Sequence, residues 1–213
     1  MRILMLESED WIKCSINKSD IFEWIDRFAK EAFEILIDVS NNLNIIVKPS
    51  LPHVSSTKGV GGSTYDHELL DITFDVTLPL GVKKFRRYLR ETVFHEMNHV
   101  MFIRYNPRQK RQLYWAVLEG LGTVFDRDYA NGEHFTQGGE NYTSKTATES
   151  EMRNWLKLNL KASTRSPDIP IDWVGMTYQV GVWLVDRAIK NSGKNVIVLS
   201  HLSCDEILKL AEI

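Results

Sequence analysis

The sequence predicts an α+β fold in which a small N-terminal β-sheet precedes a mainly helical C-terminal part. Segments 43–49 and 70–76 are rich in β-branched residues, and the second alternates between apolar and polar positions, as half-buried strands do. From residue 82 onwards, apolar residues recur mainly at helical spacing. Strands followed by a run of helices are typical of α+β domains. We expect one domain over 1–213, with three parts: a helix and sheet over 1–80, a helix pair over 81–130 and a helical subdomain over 131–213.

The N-terminal part is predicted to contain three strands and one helix. The helix is expected at 20–41, where Asp20 and Glu23 have the spacing of a capping box. Pro49 ends the second strand because proline cannot donate to a sheet ladder. Residues 50–64 are rich in Gly, Ser and Pro and predict a loop. The strands are expected at 2–6, 43–49 and 70–76.

The remaining elements are predicted to be helices. The segment 82–105 begins with basic residues and is apolar nearly all round from 92 to 103, which predicts a buried central helix. Asn106 and Pro107 form an N-cap and first-turn pair, so the next helix is expected to start at once. Residues 131–145 show no period and predict a loop. Further helices are expected at 148–160, at 173–191 with Gly193 as its C-terminal signal, and after a capping box formed by Ser203 and Glu206.

One pattern on the central helix has a chemical meaning. His95, Glu96 and His99 form the sequence His-Glu-x-x-His. Residues four apart lie on the same face of a helix, so the two imidazoles can converge on one metal ion. Glu96 can then reach a metal-bound water and accept its proton, as in metalloproteases with this motif. The pattern predicts a hydrolytic zinc site.

Catalytic zinc usually takes three protein ligands, so a third is needed. Phe102 and Tyr105 occupy the positions at which one class of such enzymes has Gly and a third His, and that class is excluded. Another class takes its third ligand, a Glu, from the next helix, and the position of Glu119 in the sequence fits that pattern. Gly120 and Gly122 beside it each cost roughly 1 kcal/mol in a helix. We interpret them as allowing the two motif helices to approach closely.

The alternative for each of these residues is an ordinary satisfied position in the core. Burying two His and a Glu without partners costs several kcal/mol, on the order of the desolvation penalty of polar groups. A metal ion with its bound water satisfies all three. The combination therefore favours one Zn²⁺ held by His95, His99 and Glu119.

The segment 92–128 resembles the gluzincin type of zinc peptidase, most closely the family of predicted Zn-dependent proteases of undefined physiological role. The resemblance extends to the Gly-rich stretch 59–63 before a strand and to a late helix with Tyr178 and Gly181. It implies a zincin-like fold, with the sheet packed on the central motif helix. It also implies zinc on the two His and Glu119, with Glu96 as the base.

The implied activity is peptide hydrolysis by a metal-activated water. A donor must stabilise the oxyanion, and the candidates are Tyr178, which the resemblance includes, and His134 in the loop after the Glu119 helix. Asp126, two turns after Glu119, is a candidate to orient a ligand His. In enzymes of the kind that the chain resembles, an exposed sheet edge holds the peptide extended. Either 70–76 or 61–64 could provide that edge, and both could equally be plain structure.

Other classes of function remain open at this point. The same fold could be a non-catalytic, metal-bound module that binds a peptide or acts as a regulator, although such a site has no use for Glu96. Two His and one carboxylate also ligate iron. The basic starts of the two motif helices could contact nucleic acid, but the acidic charge balance argues against that.

Composition agrees with a single enzyme domain. The net charge of −2 favours neither nucleic acid nor membrane as a partner, and no apolar run approaches transmembrane length. Cys14 and Cys204 are too few for a disulfide framework and are expected to be free thiols. These features predict a cytoplasmic protein, and the resemblance implies a peptide or protein substrate as its partner. They do not predict the oligomeric state.

Overall fold

The computed structural model describes residues 1–50, 59–77, 81–130, 146–160 and 171–213. The fold is α+β, as predicted. The chain forms two compact units, Met1–Met101 and Phe102–Ile213. Among the described residues, no helix combines the length and apolarity needed to cross a membrane.

The first unit contains a four-stranded mixed sheet in the order β1-β2-β4-β3. Strand β2 pairs in parallel with both β1 and β4, whereas β3 pairs antiparallel with β4. The strands are β1 (Arg2–Met5), β2 (Asn44–Ser50), β3 (Val60–Asp66) and β4 (Leu69–Asp75). A 3-10 helix, Glu9–Lys13, and helix α1, Lys18–Leu36, lie between β1 and β2.

Helix α2 (Val82–Tyr105) follows the sheet. Phe85 near its start contacts Phe74 of β4, with ring centroids 5.6 Å apart, and Trp24 of α1, with centroids 6.4 Å apart. The apolar face of the sheet, the buried face of α1 and α2 therefore share one core. Strand β4 and helix α1 thus both contact the start of α2 through aromatic rings.

The second unit is built around α3 (Gln112–Tyr129), most of whose residues are buried. Its closest neighbour is α5 (Ile171–Ser192). The unit is completed by α4 (Glu149–Asn159), α6 (Val196–Leu199) and α7 (Cys204–Leu210). The predicted capping box of Ser203 and Glu206 is present at α7, and Gly193 follows α5 with φ +69°.

Two helix starts differ from the prediction. The helix after α2 begins at Gln112, not Pro107, because the Asn106 side chain is used elsewhere: it donates to Leu202 O and accepts from Cys204 N. Helix α1 begins at Lys18 with Asn17 as N-cap, so the predicted capping box at residue 20 is wrong. The same helix stops at Leu36, since the next two residues have positive φ.

The largest difference within the sheet concerns residues 60–64. The sequence predicts a loop there because two glycines and a serine disfavour a strand. Antiparallel pairing with β4 overrides that preference, and Val60–Asp66 forms β3. The 3-10 helix and α6 were not predicted. The loop expected at 131–145, including His134, lies outside the described residues.

Candidate metal centre

The motif residues lie on α2. His95 and His99 are four residues apart on one face of this helix. The centroids of their rings are 4.4 Å apart, with an interplanar angle of 67°. His95 is half-buried and His99 is 5% exposed. The spacing of the motif therefore places both imidazoles side by side.

Glu119 of α3 completes the cluster. One ligand atom from each of His95, His99 and Glu119 lies within 4.8 Å of the others. In a tetrahedral site with metal–ligand bonds of about 2.1 Å, ligand atoms stand about 3.4 Å apart. Two imidazoles with one carboxylate are the donor set of many catalytic zinc ions. These residues fit a single divalent cation.

Glu96 is buried, with 5% exposure, and faces the sheet. Its Oε2 atom accepts a hydrogen bond of 2.7 Å from Thr64 Oγ1 and lies 3.5 Å from His99 Nδ1. Burial by itself raises the pKa of this carboxyl. The hydrogen bond and charge of His99, the charge of His95 and the Thr64 hydroxyl together outweigh burial, so the pKa of Glu96 lies below its ordinary value. In the metal-free protein the Glu96 side chain is therefore ionised.

Tyr178 and Asp126 lie on helices of the second unit. Tyr178 is a half-buried residue of α5, and Asp126 is a buried residue of α3. These positions do not test the predicted roles of the two residues. Those roles are oxyanion donor for Tyr178 and support of a ligand His for Asp126. His134 is outside the described residues.

Gly120, beside Glu119, has a different explanation from the one that the sequence suggested. A Cβ atom on Gly120 would meet the backbone of Gly181 on α5. Gly120 thus allows α3 to approach α5, and the interpretation of this glycine as a contact between the two motif helices is wrong.

Two residues near Glu96 were missed by sequence reasoning. Gly62 and Thr64 of β3 face the Glu96 side chain, although the sequence singled out their segment only as a possible sheet edge. The available signal was the i, i+2 spacing of a glycine and a hydroxyl residue ahead of a clear strand. This spacing indicates two residues on one face only when 60–66 is recognised as a strand.

Comparison of this chain with models of protein families gives no match. Comparison with curated proteins gives no match either. The site residues themselves are therefore the basis for assigning a function.

Proposed function

We propose that this protein is a zinc-dependent peptidase with a zincin-like fold. The observation that carries the proposal is the convergence of His95, His99 and Glu119 within 4.8 Å, with the buried Glu96 carboxylate next to the first of them on the same helix. A site that only holds a metal for structure needs no additional carboxylate at this position. Hydrolysis does need one.

A bound zinc ion would acidify its water and polarise the carbonyl of the scissile peptide bond. Glu96 accepts a proton from the attacking water as the new C–O bond forms. It then passes that proton to the amine nitrogen as the C–N bond breaks, so one water is consumed for each bond cleaved. Tyr178 and His134 remain our candidates for the donor to the developing oxyanion.

The arrangement of the sheet supports a mode of substrate binding. Strand β4, one of the two segments considered for a peptide-binding edge, lies between β2 and β3 and is occupied on both sides. Strand β3 is at the edge of the described sheet and lies against Glu96. We propose that an extended peptide binds along β3 through backbone hydrogen bonds, which tolerate varied side chains.

The test compares zinc content and peptide cleavage in the wild type and three variants. Glu96→Gln is expected to keep its zinc and lose cleavage, whereas His95→Ala is expected to lose both. Glu91→Gln is the matched control, because Glu91 is also a buried Glu of α2 but lies outside the cluster. It should retain zinc and cleavage. A wild-type protein that binds zinc but cleaves no member of a broad peptide library would refute the peptidase and favour the non-catalytic module.

A further inference from the structure

Strand β3 presents alternate residues to α2. Its pairing with β4 places Gly62 opposite Ile72 and Thr64 opposite Leu70. Ile72 and Leu70 belong to the buried apolar face of the sheet, and residues paired across strands share a face. Gly62 and Thr64 therefore both face the core, where Glu96 lies.

Gly62 provides the space for Glu96. A Cβ atom at this position would lie 2.4 Å from Glu96 Cγ and 2.8 Å from both Cδ and Oε1. These separations are far below van der Waals contact. No residue with a side chain can occupy this position unless Glu96 moves.

Thr64 fixes the other oxygen of the same carboxylate. Its Oγ1 atom donates to Glu96 Oε2 at 2.7 Å and also lies 3.1 Å from the backbone oxygen of Glu96. Thr64 is 3% exposed, so water does not compete strongly for these contacts. The strand changes register just after Thr64, and the next residue, Tyr65, donates instead to Asp71 Oδ2. Such irregularities re-aim side chains and are over-represented beside active sites.

We infer that Thr64 is a positioning residue that holds Glu96 in place for proton transfer, an inference that rests on the proposed peptidase function. A hydroxyl suits this task because it donates to one carboxylate oxygen and leaves the other free. The Thr64 hydroxyl donates to Oε2. Oε1 is then the oxygen that exchanges a proton with the water and the amine. The contact with Thr64 persists throughout.

The first experiment uses Thr64→Val, which keeps the shape of the side chain and removes only the hydroxyl. We expect zinc content and KM to be unchanged and kcat to fall about 10- to 100-fold, the usual effect of losing a group that orients a reactive residue. Thr64→Ser should restore most of kcat because it restores the hydroxyl. Thr73→Val on β4 is the matched control: within the described part of the chain its hydroxyl bonds only Gly61 O, at 3.4 Å, and kcat should be unaffected. Unchanged kcat in Thr64→Val, or an equal loss in Thr73→Val, would overturn the inference.

The second experiment does not depend on activity. The urea midpoint of the metal-free protein is measured for Thr64→Val in the wild-type background and in a Glu96→Ala background. A contact between the two side chains predicts a larger drop of the midpoint in the first background than in the second, where only the bond to the backbone oxygen of residue 96 is lost. Equal changes in both would overturn the positioning role. If the wild type cleaves no peptide, the proposed peptidase function is refuted. The comparison of urea midpoints in the two backgrounds then decides by itself whether Thr64 holds the Glu96 carboxylate.

Discussion

A Cβ atom on Gly120 would lie 2.3 Å from the backbone carbon and oxygen of Gly181. The contact is reciprocal, since a Cβ atom on Gly181 would lie 2.0 Å from the backbone oxygen of Ala116. Helices α3 and α5 therefore touch backbone to backbone. Because Glu119 immediately precedes Gly120, this contact fixes the part of α3 that carries the third member of the metal cluster.

The first prediction concerns the stability of this contact. Gly120→Ala gains about 1 kcal/mol of helix propensity but must push two backbones apart, which costs about 1–3 kcal/mol or more. We expect the free energy of unfolding in urea to fall by about 1 kcal/mol or more, the cost of separation less the gain in propensity. Gly81→Ala is the control because a Cβ atom there meets nothing within 4 Å. An increase in stability for Gly120→Ala would show that the two helices can separate at no cost.

The second prediction concerns Gly62. Gly62→Ala should displace Glu96 and lower kcat about 100-fold while zinc remains bound, since a shift of about 1 Å in a reacting group has effects of that size. The nearest atoms to the added Cβ all belong to the Glu96 side chain beyond its own Cβ. Gly62→Ala should therefore destabilise the wild type but not Glu96→Ala, as measured by urea unfolding. Equal destabilisation in both backgrounds would mean that the obstruction lies elsewhere.

The third prediction concerns the metal. His99→Ala and Glu119→Ala should reduce bound zinc from about one ion per chain to a trace, because each removes one of three ligands. Added zinc should raise the melting temperature of the wild type, by linkage, and leave that of both variants unchanged. His201→Gln is the control, since its ring bonds Ile197 O and takes no part in the cluster. Full zinc occupancy in Glu119→Ala would remove Glu119 from the ligand set.

The fourth prediction concerns the thiols. Both cysteines are free, as predicted, and Cys204 is buried, which raises the pKa of its thiol to about 12. Only Cys14 should react readily with a thiol reagent at pH 8 in the folded protein, and both should react in urea. The folded state binds the Cys204 proton more tightly than the unfolded chain does. Its contribution to stability is therefore complete below about pH 9 and is lost as the pH rises towards 12. Rapid labelling of Cys204 under native conditions would contradict this.

Much of the fold could be predicted because it depends on local patterns. The long helix over 82–105, the strands at 44–50 and 69–75, and the capping box at Ser203 follow from periodicity and cap chemistry. Prediction failed where a tertiary contact replaces a local preference. Asn106 is a good N-cap by type, but its side chain is bound to the chain around residues 202–204.

The sequence by itself determined the pairing of His95 with His99, because four residues on one helix set the separation of the two rings. It also supplied Glu96 beside them. Only the tertiary structure decided that Glu119 comes within 4.8 Å of the pair and that Gly62 and Thr64 enclose Glu96. The physical reason is that helical spacing is a property of the local backbone. Approach between separate elements depends instead on which surfaces pack, and strand β3 forms only because β4 is there to pair with it.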